Sequence, residues 1–363
     1  MDKRESLWLR IHIDPILLVC IFILCAAGLA VLYSATGQDQ QMVARQGGRM
    51  LLGLFIMAGV AQFKPETLTR LAPWLYAAGM ILLVVLNFAG TGRGAHRWLD
   101  LGVVRFQPAE IMKLAVPMTC ARFLTVDGLP PSWARLTLSG LFILLPVILI
   151  AVQPDLGTAV LVMAAGGFVI FLGGLSWRVL LALVVIVAAS TVPLWSLLHD
   201  YQRQRILTLL DPQQDPLGAG YHIIQSVIAV GSGGLFGKGW LQGTQSRLEF
   251  LPERHTDFIF AVVCEEFGFA GAALLIGMYL LIIARGLSIA SEAQDHASRL
   301  LAGSLALTLF IYVFVNMGMV VGQLPVVGVP LPMISYGGSS LVTLMAAFGM
   351  LMSVHTHRKK MLF

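Results

Sequence analysis

Charged residues are scarce in this chain. Asp, Glu, Lys and Arg make up 12% of its 363 residues, whereas a typical soluble domain carries roughly 25%. Hydrophobic residues make up 57% and the mean hydropathy is +0.82. This composition excludes an ordinary soluble protein and predicts a polytopic membrane protein. The net charge of +5 comes from Lys and Arg gathered at segment ends, which is typical of membrane orientation and not of nucleic-acid binding.

Cysteine is scarce too, and the chain has no low-complexity segment, no convincing internal repeat and no separate soluble domain. The four cysteines lie in apolar runs, without metal-ligand spacing or a disulfide pattern. The N-terminus MDKRESLWLR is basic, but the apolar run after it ends without a small-residue cleavage site. We therefore expect a first transmembrane helix there, and one integral membrane domain over residues 1–363.

Nucleotide-binding motifs are also missing, although the stretch GSGGLFGKGW resembles one at first sight. A Walker A loop needs glycine where Ser232 stands and Ser or Thr where Gly239 stands, and the dinucleotide fingerprint fails at Phe236. The stretch favours a flexible glycine-rich loop. Its backbone N–H groups and Lys238 could still contact phosphate.

Long apolar runs predict about ten transmembrane helices, since roughly 20 apolar residues cross a bilayer. The predicted spans are approximately 15–34, 48–63, 71–89, 108–124, 137–153, 158–175, 178–198, 257–285, 299–322 and 338–355. An even number of spans places both termini on one side, and their basic residues indicate the cytoplasm. The expected fold is an all-α polytopic membrane protein with a long periplasmic loop, about 199–256, between helices 7 and 8.

Some cations lie on the opposite, outer side, where the orientation rule disfavours them. They include Arg45, Arg49, Arg93, Arg97 and Arg105. Anion binding is the obvious reason to keep cations there. The outer side also carries the long loop, in which the apolar stretch Ile223–Val230 predicts a short amphipathic helix along the membrane surface.

Asp257 is the candidate for a catalytic base. It stands between His255 and the apolar run Phe258–Cys264, where polar loop meets hydrocarbon. Desolvation at that boundary should raise the pKa of its carboxyl, and the neighbouring Arg254 should oppose the shift. A general base and a helix-capping acid are equally consistent with this position.

Polar residues at the start of the fourth predicted span form a second candidate site, which follows Arg105 in the chain. Pro108 suits a first helical turn, which makes Gln107 the cap. Glu110 and Lys113 are then i, i+3 neighbours, and charges inside a span by default mark a function. The alternative is a structural ion pair between helices.

A third candidate follows Asn316, where prolines and glycines break the helix before the stretch LPMISYGGSS. Broken backbone at membrane depth must be buried or line a cavity. Ser335 and Tyr336 could close the wall of such a cavity, and a turn with a tight helix entry explains them equally well.

Together these motifs resemble those of a known family. The stretch GQLPVVGVPLPMISYGGSS after Asn316, with LPERHTDFIF, QPDLGT and RFQPAEIMK, is similar to the signatures of the SEDS family (shape, elongation, division and sporulation). The resemblance covers nearly the whole chain, and the long loop is most similar to the elongation branch. Ala109 is a departure, because the family commonly has Ser there, which leaves open any role of a hydroxyl.

The resemblance implies a multi-pass peptidoglycan glycosyltransferase of the bacterial inner membrane that serves cell elongation and rod shape. It would polymerise lipid II on the periplasmic side, with Asp257 as general base for the acceptor hydroxyl and undecaprenyl pyrophosphate as leaving group. We expect substrate or pyrophosphate contacts from Arg105, Gln107, Glu110, Lys113, Lys238, His255, Ser335 and Tyr336.

The implied partners are a class B penicillin-binding protein, other membrane proteins of the elongation complex and membrane lipids. A divalent cation, Mg²⁺ or Mn²⁺, held by Glu110 or Asp257 stays an open alternative. A lipid II flippase is the competing class, since ten helices with broken segments and intramembrane charges suit a transporter. The position of the polar residues on one face, and not at the midplane, argues against it. A scaffold would not need acids and cations at membrane depth.

Overall fold

The computed structural model describes residues 7–89, 98–100, 105–179, 181–182, 185–186, 189, 200–214, 218–248, 250–251 and 253–357. Helices dominate these residues. They are α1 (Leu7–Arg10), α2 (Pro15–Ala35), α3 (Gln40–Ala61), α4 (Pro65–Ala89), α5 (Pro108–Leu124), α6 (Trp133–Val152), α7 (Leu156–Leu172), α8 (Asp200–Leu210), α9 (Ala219–Ser232), α10 (Thr244–Arg247), α11 (Ile259–Ser291), α12 (His296–Val320) and α13 (Ser339–Thr356). Two short strands, β1 (Leu99–Asp100) and β2 (Arg105–Phe106), pair antiparallel, and Pro212–Gln214 form a 3₁₀ turn.

Six of the described helices are long and apolar enough to cross a membrane: α2, α4 over Pro65–Leu86, α6, α11, α12 and α13. Helix α7 is apolar but shorter. Helices α3 and α5 coincide with the second and fourth predicted spans and carry more polar side chains. The seventh predicted span, 178–198, lies mostly outside the described residues. The helical membrane fold is confirmed at this coarser level.

Polar capping residues set several helix ends, so the helices differ in extent from the apolar runs. Helix α3 begins at Gln40, well before the predicted span 48–63. The Asp39 carboxylate accepts hydrogen bonds from the N–H groups of Gln41 (2.8 Å) and Met42 (3.1 Å) and satisfies the first turn. Helix α2 likewise follows Asp14, whose Oδ1 accepts from the Leu17 N–H at 2.8 Å.

The start of α2 and the end of α13 meet at one end of the helix bundle. Asp14, which precedes α2, pairs through Oδ2 with Arg285 Nη2 at 2.6 Å and lies 3.3 Å from His355 Nε2. The rings of His12 and His357 stack with their centroids 4.0 Å apart. Residues close to the two chain termini therefore share one end of the bundle.

The start of α11 lies at the opposite end. Arg254, shortly before α11, donates from Nε to the carbonyl oxygen of Ala35, the last residue of α2, at 2.7 Å. Helix α2 has 21 residues, which at 1.5 Å per residue span about 31 Å. This length is close to the ~30 Å hydrocarbon core of a bilayer. The segment before α11 and the chain termini thus lie at opposite ends of a membrane-sized bundle.

Helix α11 is interrupted at Gly268, which has φ 64° and ψ −161°. The loop Gly233–Gly239 replaces the missing helical hydrogen bonds with backbone bonds of its own. They run from Lys238 N–H to Glu265 O (3.0 Å), Gly239 N–H to Glu266 O (3.0 Å), Phe269 N–H to Gly234 O (2.9 Å) and Ala270 N–H to Leu235 O (3.0 Å). The expectation of a flexible loop is therefore wrong, because the glycine-rich stretch is docked on the break in α11.

Two glycines of this loop are required by its close approach to α11. A Cβ atom at Gly233 would lie 1.9 Å from the carbonyl oxygen of Cys264. A Cβ atom at Gly237, which has φ 80°, would lie 2.1 Å from the carbonyl oxygen of Glu266. Both distances are shorter than any real contact, so a side chain at either position forces the backbone apart.

Gly233→Ala should lower the free energy of unfolding by about 1–3 kcal/mol, as forced overpacking does. Thermal unfolding of the purified protein in detergent measures the change. Gly231→Ala is the matched control, because a Cβ atom there would meet nothing within 4 Å and alanine favours a helix. Equal stability of the two variants would contradict the docked arrangement.

Candidate functional site

Asp257 lies directly before α11 and does not cap it. The N-cap position belongs to Phe258, whose side chain makes no capping hydrogen bond. The Asp257 carboxylate instead faces the broken segment after α12, since a Cβ atom at Gly328 would lie 3.5 Å from its Oδ2. Asp257 therefore does not hold the N-cap position of this helix.

The pKa of the Asp257 carboxyl is raised above the ordinary value of an aspartate. Burial raises its pKa to about 6, and the negative charge of Glu253 contributes to the same shift. Such a carboxyl is mostly ionised at pH 7 and still accepts a proton more readily than an ordinary aspartate. General bases are most effective when their pKa lies near the working pH.

Asn316 holds Asp257 against the broken segment. This asparagine is fully buried on α12. Its Nδ2 donates to the carbonyl oxygen of Asp257 at 2.8 Å and to that of Val329 at 2.7 Å. The loop QPDLGT supports the same segment, because Gly157 packs so closely that a Cβ atom there would lie 2.6 Å from the Val327 carbonyl oxygen.

Ser335 and Tyr336 join the residues around Asp257, as the sequence suggested. Ser335 Oγ donates to the carbonyl oxygen of Thr256 at 2.6 Å and accepts from the Leu331 N–H at 2.7 Å. The Tyr336 N–H donates to the carbonyl oxygen of His255 at 2.8 Å, and the two rings lie edge to face at 6.2 Å. These hydrogen bonds join the segment 331–336 to the turn before α11 beside Asp257.

Strained backbone occurs on both sides of this contact. Glu253 has φ 50° and Met333 has φ 62°, a left-handed conformation that side chains disfavour. Each such residue costs of order 1–3 kcal/mol and persists only where the surrounding contacts impose it. Strain of this kind clusters at functional sites, which agrees with a site at Asp257.

Two residues of α3 that were not among the candidates complete the group. Gln46 is buried, donates from Nε2 to the Ser335 carbonyl oxygen (3.2 Å) and accepts from the Gly337 N–H (3.4 Å). The guanidinium of Arg49 lies 4.6 Å from the centroid of the Tyr336 ring. The sequence offered a signal only for Arg49, as one of the cations predicted for the outer side, where anion binding was the expected reason to keep them. We call this set the Asp257 cluster: Gln46, Arg49, His255, Asp257, Asn316, Ser335 and Tyr336.

The start of α5 forms a second group. Gln107 occupies the N-cap position and Pro108 opens the helix, as predicted. The Gln107 side chain does not cap the helix. Its Nε2 donates to Asp155 Oδ2 at 2.6 Å, while Asp155 Oδ1 accepts from the Thr158 N–H at 3.2 Å and caps α7. Gln107 therefore ties α5 to α7.

Lys113 lies deeper in α5 with two partners. Its ammonium donates to Glu110 Oε1 and to the Tyr312 hydroxyl, both at 2.6 Å. The predicted i, i+3 pair is therefore present, and both members are buried, with 4% and 3% of their surfaces exposed. Tyr312 was not anticipated, because a tyrosine inside an apolar helix resembles ordinary core.

Helix α12 connects the two groups. Tyr312 and Asn316 stand four residues apart, so they share one face of the helix about 6 Å apart along its axis. Lys113 binds the first and Asp257 binds the second. A shift of α12 would consequently reach both the buried ion pair and the catalytic candidate.

Two candidates, Lys238 and Arg105, are placed in neither group. Lys238 Nζ pairs with Glu265 Oε1 at 2.7 Å and with Thr244 Oγ1 at 2.8 Å, next to the docked glycine loop. Arg105 belongs to β2, and its side chain lies outside the described residues.

A divalent cation at Glu110 or Asp257 remains a hypothesis. The described residues contain no group of three or more His, Cys, Asp and Glu side chains that could hold one. Glu110 is buried, and its Oε1 accepts from the Lys113 ammonium.

The ion pair of α5 makes a prediction about stability. Lys113→Met or Glu110→Gln alone should lower the free energy of unfolding by roughly 3–5 kcal/mol, because each leaves a buried partner unpaired. The double variant should recover most of that loss. Unfolding of the three variants in detergent measures it, and a double variant less stable than both single variants would contradict a structural ion pair.

Known proteins are similar to this chain over almost its whole length. The model of the cell cycle protein family of FtsW, RodA and SpoVE matches residues 10–360. The peptidoglycan glycosyltransferase MrdB of Escherichia coli K12 is 55% identical over 359 residues, which are 98% of this chain and 97% of that protein. The peptidoglycan glycosyltransferase RodA of Treponema pallidum is 31% identical over 424 residues, with 95% and 98% covered.

Solved structures match as well. A chain from work described as "Structural coordination of polymerization and crosslinking by a peptidoglycan synthase complex" superposes with a TM-score of 0.82 at 36% identity, covering 96% of this chain and 98% of that one. The rod shape determining protein RodA of Thermus thermophilus gives a TM-score of 0.72 at 31% identity, with 95% and 98% covered. The chain therefore belongs to the FtsW, RodA and SpoVE family of cell cycle proteins, the SEDS peptidoglycan glycosyltransferases.

Proposed function

We propose that this peptidoglycan glycosyltransferase polymerises lipid II during cell elongation, at the periplasmic face of the bacterial inner membrane. One observation carries the proposal. A carboxylate whose pKa is raised to about 6 stands at the end of a membrane-sized helix bundle, on a residue whose backbone carbonyl oxygen accepts from the buried Asn316 amide. A substrate with a lipid tail and a polar sugar head requires its reactive group at that boundary.

The chemistry needs a base on the acceptor and positive charge near the leaving group. In the proposed step, Asp257 takes the proton from the 4-hydroxyl of the acceptor's N-acetylglucosamine. The oxygen forms a bond with the anomeric carbon of the donor's N-acetylmuramic acid. The bond from that carbon to the phosphate oxygen breaks, and undecaprenyl pyrophosphate leaves with the electron pair.

The other candidate residues are proposed to contact different parts of the substrate, according to where they lie. His255, Ser335 and Tyr336 stand beside Asp257, and in this proposal they contact the sugars. Lys113 uses two of the three donors of an ammonium group on Glu110 and Tyr312, which leaves one for a pyrophosphate oxygen. Glu110 keeps Lys113 charged in its buried position.

Three further residues are also proposed to contact the substrate, and the evidence differs for each: Gln107, Arg105 and Lys238. Gln107 is buried between α5 and α7, and its Nε2 also donates to Asp155. Arg105 precedes it on the same segment. Lys238 is part-buried with Glu265, and its proposed role rests on charge alone.

We propose the complete topology as ten transmembrane helices in one domain, residues 1–363, with both termini cytoplasmic. The ion pair between Asp14 and Arg285 supports a shared end for the terminal residues, and the contact between Arg254 and Ala35 supports the opposite end for Asp257. Basic residues at both termini favour the cytoplasm for the shared end.

The proposed partners are a class B penicillin-binding protein and other membrane proteins of the elongation complex. The support is the likeness to a chain from a peptidoglycan synthase complex that couples polymerisation with crosslinking. The two enzymes would then act on the same strand in succession.

The lipid tail is proposed to lie beside α9. This helix contains the predicted stretch Ile223–Val230, with Ile223 and Ala229 buried and Val227 and Ile228 almost half exposed. Next to it an apolar cavity of about 570 Å³ opens between α9, α11 and α12. An apolar helix face beside an apolar cavity suits a prenyl chain at the membrane surface.

Asp257→Asn should abolish polymerisation of lipid II by the purified protein with its penicillin-binding partner, without loss of folded protein. In the wild type, kcat/KM should fall about tenfold per pH unit below about pH 6, because the protonated carboxyl cannot accept a proton, and should level off above it. Polymerisation in detergent also excludes a flippase as the explanation, since no second compartment is present.

Glu253→Gln is the matched control for that profile. It removes the charge that helps to raise the pKa of Asp257 and keeps an oxygen for the Thr256 hydroxyl, which donates to Glu253 at 2.6 Å. The acid limb should move to lower pH. Near-normal turnover by Asp257→Asn, or a limb that Glu253→Gln leaves in place, would contradict the base assignment.

Cysteine labelling tests the position of α9. Cysteines at Val227 or Ile228 should react poorly with a membrane-impermeant thiol reagent from the periplasm, and cysteines at Gln242 or Arg247 readily. The native cysteines are buried and should give little background. Equal, strong labelling at all four positions would show that α9 does not lie against lipid.

A further inference from the structure

Arg49 is a cation without a carboxylate partner among the described residues. Its guanidinium lies 4.6 Å from the centroid of the Tyr336 ring, and the side chain is partly exposed. Arg45, one turn earlier on α3, is exposed and donates only a long bond to Gln41, at 3.4 Å. Arg49 is thus held in place by an aromatic face, and its donors remain available.

The first turn of α13 lies beside this guanidinium. Its N-cap residue is Gly338, and no side chain caps the helix by a hydrogen bond. A Cβ atom at Gly338 would lie 3.7 Å from Arg49 Nε, whereas one at Gly337 would meet nothing within 4 Å. The positive end of the helix dipole and the arginine therefore lie beside each other.

Arg49 is connected through Tyr336 to the turn that carries Asp257. Tyr336, whose ring packs against Arg49, donates its N–H to the carbonyl oxygen of His255, two residues before Asp257. Gln46 binds the backbone of Ser335 and Gly337 and keeps α3 in register with this segment. Positive charge is therefore built into the same wall as the proposed base.

We propose that Arg49, seated on Tyr336, binds the diphosphate group of the prenyl-linked substrate and product. An arginine keeps its charge in a low-dielectric wall and offers a planar pair of donors that matches phosphate oxygens. The proposal rests on the proposed function and adds a residue to it. It also explains why an arginine is kept on the side of the membrane where cations are disfavoured.

The test is direct binding of undecaprenyl pyrophosphate to the purified full-length protein in detergent. Arg49→Gln should raise the Kd about tenfold or more, since one charge-assisted pair of bonds is lost. Arg45→Gln removes the same charge from the same helix without the contact to Tyr336, and should change the Kd by less than about twofold. Arg49→Lys keeps the charge without the planar donors and should fall between the two.

Two further ligands separate the source of the phosphate. Inorganic pyrophosphate should compete with the prenyl diphosphate in the wild type and much less in Arg49→Gln. Phosphatidylglycerol in mixed micelles should bind both proteins alike. Equal loss of phosphatidylglycerol binding would show a general site for anionic lipids and would overturn the proposal, as would equal effects of the Arg45 and Arg49 variants.

Melting temperatures of all variants accompany the binding data. If Arg49→Gln does not fold, Arg49→Lys decides, because unchanged binding with that variant overturns a role of the planar donors. Asp257→Asn should bind undecaprenyl pyrophosphate like the wild type while it fails to polymerise. Normal turnover by Asp257→Asn would refute the base and leave Arg49 standing, whereas unchanged binding by Arg49→Gln would refute Arg49 alone.

Discussion

The two hydrogen bonds donated by the Asn316 amide are the contact on which the site depends. Backbone carbonyls outside helices at membrane depth have no water to bind and need a partner inside the protein. Asn316 supplies that partner to Asp257 and to Val329 at once. The turn before α11 and the broken segment after α12 therefore cannot separate without leaving two buried carbonyls unpaired, and the carboxylate of Asp257 keeps its position.

Charge in this bundle is buried in pairs or placed against aromatic rings. Lys113 is shared by Glu110 and Tyr312, Lys238 by Glu265 and Thr244, and Arg49 lies over Tyr336. Pairing avoids the cost of an isolated charge in a low dielectric. Asp257 differs from these residues, since burial raises its pKa and its neighbour Glu253 carries the same sign. An acid left without a counter-charge in this way is suited to take up a proton.

Local sequence was a poor guide to the long loop, and the reason is physical. Glycines in GSGGLFGKGW are compatible with flexibility, with phosphate binding and with close backbone packing, and no nearby residue distinguishes these uses. The structure decides for packing, because the loop fills the break at Gly268 and a Cβ atom at Gly233 or Gly237 would collide with α11. The same contact gives Lys238 its partner Glu265, which is 27 residues away in the chain, a separation that no helical periodicity predicts.

The amino-acid sequence by itself determined the membrane class, the family and the pair Glu110–Lys113. Hydropathy and motifs are properties of the chain, and helical geometry brings i and i+3 together wherever the helix forms. Only the tertiary structure decided that Asp257 does not cap α11, that Tyr312 completes the ion pair and that Asn316 and Arg49 belong to the site. These roles depend on contacts between residues far apart in the chain, such as Arg49 with Tyr336, and such contacts exist only once the helices have packed.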